Sequence, residues 1–220
     1  MRVRDHLRIS VRRQKQLTRA MEVCLVGVFV LGLYERNVGV VVNAGLAFLV
    51  TLLPAVLERD YDIPMDAGLT LWITTAVFLH AVGTIGPYQS DATVMGIGWD
   101  NVTHTLSSSL VAAIGYATAR AIDEHTEDVR LPPKFMFVFI LMFVMAFGVI
   151  WEVIEFGVAG AASMLGSDAV LTQYGLRDTM RDLIFDLGGG VIVAVWGTAY
   201  LTDVVGALTE QLDGRERQVE

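Results

Sequence analysis

Six apolar stretches follow one another along the chain, at residues 20–34, 38–57, 68–86, 101–121, 134–157 and 180–204, with polar breaks between them. Each is close to the ~20 residues a helix needs to cross ~30 Å of hydrocarbon. The pattern predicts an all-α, polytopic membrane helix bundle of about six transmembrane helices. The first stretch is the shortest, and only Glu35, Arg36 and Asn37 separate it from the second, so a re-entrant hairpin is the alternative there. Residues 1–19 form a basic segment, 20–205 a single membrane domain, and 206–220 a polar tail. No internal repeat or low-complexity run divides them.

The polar breaks also orient the chain. Arg2, Arg4, Arg8, Arg12, Arg13, Lys15 and Arg19 precede the first span, opposed only by Asp5. They read as a topology signal, with a lipid-bound amphipathic helix as the alternative. With this end inside, the cytoplasmic segments also hold Arg59, Arg120, Arg130, Lys134, Arg215 and Arg217, while the outer segments hold only Arg36, Arg177 and Arg181. The expectation is a multi-pass protein of the cytoplasmic membrane with both termini cytoplasmic. The first span lacks a small-residue cleavage site and reads as a retained helix.

Composition adds exclusions. The chain is 54% hydrophobic, and its net charge of −8 argues against a nucleic-acid partner. Membrane lipids remain as partners, with a lipid or envelope component as the substrate class; the sequence does not set the oligomeric state. The single cysteine, Cys24, excludes an internal disulfide and a multi-cysteine metal site, and is expected to pack as a small core residue. His6 and His125 fall in the cytoplasmic segments as surface residues.

The spans carry ionisable residues that cost about 2.5–3.5 kcal/mol each to place at a membrane-helix centre. His80 lies two turns before Gly86-Pro87. Asp100 and His104 are four apart, Glu152 and Glu155 three apart, and Asp178, Asp182 and Asp186 repeat every four, so each set shares one helix face. In the N-in topology all four groups fall in the outer half of the membrane. This predicts one outward-facing site. His80, Asp100, His104, Asp178 and Asp182 are its candidate metal ligands, and imidazole with carboxylate suits a divalent ion such as Zn²⁺, Mg²⁺ or Mn²⁺. Glu155, Glu152 and Asp186 are its candidate catalytic acids and bases. The matching activity is a metal-dependent hydrolase or transferase acting on a lipid or envelope component. The alternatives are a proton- or ion-coupled transporter and a structural protein with no catalytic activity.

Each residue also has a plainer role. Asp100 and Asp178 can cap helix N-termini, Asp182 can pair with Arg177 or Arg181, and Glu152 can face water at the interface. Trp99 and Trp151 fit an interfacial aromatic belt. Ser107-Ser108-Ser109, Gly115 and Gly188-Gly189-Gly190 fit close helix packing.

In order, Leu79-His80-Ala81-Val82-Gly83, Trp99-Asp100-x-x-x-His104, Trp151-Glu152-x-x-Glu155 and Asp178-Thr179-x-x-Asp182 resemble the YjdF-like family of prokaryotic inner-membrane proteins, over about residues 20–205. More distantly they are similar to VanZ-like membrane proteins, which are linked to resistance against some glycopeptide antibiotics. The resemblance implies a membrane location and carries over His80, Asp100, His104, Glu152, Glu155, Asp178 and Asp182 as site residues. It names no activity for the YjdF-like family. Asp186 departs from the closing motif.

Overall fold

The computed structural model describes residues 9–89, 93, 97–167, 169–171, 175–197 and 200–219, and among them it is helical with no strand. Arg2, Arg4, Arg8, Asp5 and His6 lie outside the described residues. Helix α1 spans Val11–Glu35, beginning well before the first predicted span and carrying Arg12, Arg13, Lys15 and Arg19 on its opening turns. Ser10 caps it, its hydroxyl accepting from the Arg13 N–H at 3.3 Å. At 25 residues α1 rises ~37 Å, enough to cross a bilayer without re-entering.

The chain reverses through Arg36, whose φ of 55° is left-handed, and Asn37, whose Oδ1 accepts from the Val40 N–H at 3.1 Å to start α2, Val38–Thr51. A step at Leu52 separates α2 from α3, Leu53–Tyr61. Pro54 explains the step, because it has no N–H for the Val50 carbonyl one turn back. Asp66 caps α4, Ala67–Gly83, accepting from the Gly68 and Leu69 N–H groups at 2.8 and 2.9 Å. A 3₁₀ turn at Pro87–Gln89 follows. Then come α5, Trp99–His125, α6, Pro133–Leu165, and α7, Leu176–Trp196. The sixth predicted span stops earlier than expected, at Trp196, and the polar tail is not extended chain: Thr202–Val219 form α8, packed on α5.

By length and composition α1, the α2–α3 pair and α6 can each cross a membrane, and α4 is a shorter apolar helix. The polar side chains of α5 and α7 keep those two out of that class.

Burial follows the membrane pattern. Small residues meet between helices: Ala44, Ala47, Ala76, Ala81 and Ala112 are buried, while Val153, Phe156 and Met142 on α6 face outward. Cys24 is exposed, not core, on the outward side of α1. The most extensive contact is α5 against α7. Gly189 makes it possible, since a Cβ there would lie 2.2 Å from Ser108 Oγ and 2.4 Å from the Thr105 carbonyl. At the end of the bundle away from the Gly189 contact, His125 is half-buried against Asp213 of α8 and is not a bare surface residue.

Candidate functional site

The α5–α7 contact is parallel in register. Asp100 meets Asp182, His104 meets Asp186, and Ser108 meets Gly189, each pair one helical turn beyond the last. The fourfold spacing of the polar residues on both helices therefore brings their faces together. Asp100, His104 and Asp182 each offer a ligand atom, and these atoms lie within 4.8 Å of one another. His104 Nε2 is 3.7 Å from Asp100 Oδ1. Asp182 is 2% exposed, and its Oδ1 has no hydrogen-bond partner among the described residues. Pairing of Asp182 with Arg177 or Arg181 does not describe this site: both arginines are exposed, and Asp182 points at Asp100.

Asp186 stands behind the imidazole. Its Oδ1 accepts from His104 Nδ1–H at 3.1 Å, which leaves Nε2 as the ring nitrogen that faces Asp100. Gly148 of α6 makes room for it: a Cβ there would be 2.6 Å from Asp186 Oδ2 and 3.1 Å from Leu183 Cδ2. Asp186 is thus placed to orient His104 and not to meet a substrate.

His80 is drawn into a different network. Asn43 donates through Nδ2 to the Gly39 and Val170 carbonyls at 2.8 and 2.9 Å, which leaves its Oδ1 facing His80 Nε2 at 3.2 Å. Nε2 therefore carries the proton, and Nδ1 accepts from the Tyr88 hydroxyl at 2.9 Å. Tyr88 also lies 3.3 Å from Thr103 Oγ1, and burial raises its phenol well above the usual range, so the hydroxyl keeps its proton. Both ring nitrogens of His80 are engaged by hydrogen-bond partners, and it lies outside the Asp100, His104 and Asp182 cluster, where it was expected as a metal ligand. Asn43 and Tyr88 were missed by sequence reasoning. A lone Asn in an apolar span was the available signal for the first; Tyr88 had only its place after Gly86-Pro87.

A cavity of about 600 Å³ adjoins the cluster, with His80, Asp100, His104, Glu155 and Asp178 in its wall. Glu155 is held by Trp151, whose indole N–H donates to Oε1 at 3.0 Å. Trp99 donates to the Leu79 carbonyl at 2.9 Å. Both tryptophans are thus tied to protein groups; Trp99 opens α5, whereas Trp151 lies near the middle of α6, which continues to Leu165. Asp178 lines the cavity but lies outside the three-residue cluster. Glu152 is not at a watery interface: it is 5% exposed, and neither carboxylate oxygen has a partner among the described residues.

One imidazole nitrogen, two carboxylates and a third carboxylate on the far imidazole nitrogen form a donor set that suits a divalent cation. The facing cavity has room for water or a small ligand, and Glu155 lines it.

A family model described as a predicted membrane protein (DUF2238) matches residues 17–203. A Thermotoga maritima protein described as uncharacterized is 27% identical over 182 residues, covering 80% of this chain and 86% of its own. No solved structure matches the chain.

Proposed function

The chain belongs to the DUF2238 family of predicted membrane proteins, and we propose that it is a metal-dependent hydrolase or transferase of the cytoplasmic membrane, acting on a lipid or envelope component. In this reading α5 and α7 also cross the bilayer, their polar faces turned to each other, so that six helical passes span it, both termini face the cytoplasm, and the site opens outward. The YjdF-like and, more distantly, VanZ-like resemblances belong to this reading.

One observation carries it. Asp100, His104 and Asp182, from two helices, point ligand atoms into a space under 5 Å across, beside a cavity of substrate size. Carboxylates that touch, as half-buried Asp100 and buried Asp182 do, repel unless a cation or proton lies between them. A bound divalent ion supplies Lewis acidity and makes water a usable nucleophile near neutral pH. The protein's own residues supply the rest. Asp186 fixes the His104 tautomer, and Asp100 and Asp182 provide the opposing negative charge. Trp151 holds one oxygen of Glu155, leaving the other to take a proton from the attacking group or give one to the leaving group.

The test uses purified protein in nanodiscs, given bacterial lipid and lipid-linked envelope precursors, with products followed by mass spectrometry. Metal-dependent turnover that disappears in Glu155→Gln, while that variant keeps its metal, supports the reading. Metal-loaded protein that converts none of them, or turnover that survives Glu155→Gln, contradicts it.

A further inference from the structure

Glu152 is not used by the chemistry above, yet it is buried more deeply than Glu155. Its position follows from the register of α6 against α7, which run antiparallel. Gly190 faces Leu141 and Val144, where a Cβ would lie 3.3 and 3.5 Å from their side chains. One turn further along α6 and one turn back along α7, Gly148 faces Asp186. The next matched step sets Glu152 opposite Asp182. The two acids are electrostatic neighbours, as are Glu152 and Glu155.

Both facing carboxylates are unfinished. Among the described residues Glu152 has two unpartnered oxygens, and Asp182 has its Oδ1 unpartnered, although both residues are at least nine-tenths buried. Two bare carboxylates facing each other in a low-dielectric interior are strongly unfavourable without a shared proton or a counter-charge. Arg181, beside Asp182 in sequence, is exposed and turned away. A single cation in the Asp100, His104 and Asp182 cluster would use one Asp182 oxygen and leave Glu152 bare.

We propose that Glu152 and Asp182 hold a second divalent cation, with Asp182 bridging it to the ion held by Asp100 and His104. The site is then binuclear, and this rests on the reading that the cluster binds metal at all. Carboxylate-bridged pairs of this kind stand about 3.5–4 Å apart. The four positive charges of two divalent ions match the four carboxylates of Asp100, Glu152, Asp182 and Asp186. The second position is rich in oxygen, which favours a hard ion such as Mn²⁺ or Mg²⁺.

Metal-stripped protein in nanodiscs, titrated with Mn²⁺ alone, tests this by bound-metal count and electron paramagnetic resonance. Wild type should take up two Mn²⁺ per chain with a spin-coupled spectrum, and Glu152→Gln one Mn²⁺ with an uncoupled spectrum. One uncoupled Mn²⁺ in wild type overturns the second site and leaves the first standing. No bound Mn²⁺ in wild type overturns both. The wild-type result decides even if Glu152→Gln fails to fold, and Glu152→Asp, which keeps a carboxylate, should retain the second ion.

Discussion

Asp186 Oδ1 sits 3.1 Å from His104 Nδ1, so the imidazole presents its other nitrogen to Asp100. The pair acts as a unit: the carboxylate fixes which nitrogen bears the proton and raises the basicity of the one that faces the cluster. Replacing Asp186 by Asn keeps the size but removes the charge and the tautomer preference. Divalent metal affinity should fall about 10–100-fold, read by competition with a chromophoric chelator, with the helical circular dichroism unchanged.

Gly148 guards the same pair from the α6 side. A methyl group there would press on Asp186 Oδ2 and Leu183 at the same time. Gly148→Ala should therefore weaken metal binding together with Asp186→Asn and lower stability by about 1–3 kcal/mol. Thermal unfolding in detergent and the chelator assay measure the two effects. An alanine variant with wild-type affinity would separate Gly148 from the His104 geometry.

His80 should behave unlike His104. Its two nitrogens face Asn43 and Tyr88, so His80→Gln should leave bound metal within about threefold of wild type and cost about 1–3 kcal/mol of stability through unpaired partners. Metal content and thermal unfolding of the purified variant check this. Loss of metal would return His80 to the ligand set.

The charge asymmetry of the loops predicts that the C-terminus is cytoplasmic. A C-terminal green fluorescent protein fusion should fluoresce, and a C-terminal alkaline phosphatase fusion should be inactive. The reverse pair of results would invert the bundle and turn the site toward the cytoplasm.

The helical fold was largely legible, because long apolar runs act locally. Local rules also placed Asp100 with His104, and Asp182 with Asp186, on shared faces. The step at Leu52 was written in Pro54 but hidden by the apolar run around it. The continuation of α1 back to Val11 was hidden by the opposite feature, a basic segment that reads as a tail. Partner choice across helices was not legible. The parallel register of α5 and α7 depends on Gly189 closing against Ser108, and that register puts Asp186 behind His104. The capture of His80 by Asn43 and Tyr88 likewise depends on contacts distant in sequence, which helical spacing does not encode.

The account's central claim is that Asp100, His104 and Asp182 share a bound metal, and X-ray absorption at the Zn K-edge of Zn²⁺-loaded protein in nanodiscs addresses it most directly. The predicted spectrum contains an imidazole nitrogen shell at ~2.0–2.1 Å together with carboxylate oxygens at ~2.0–2.2 Å, and the imidazole shell vanishes in His104→Ala. A wild-type spectrum without an imidazole shell, or one unchanged by His104→Ala, would contradict it.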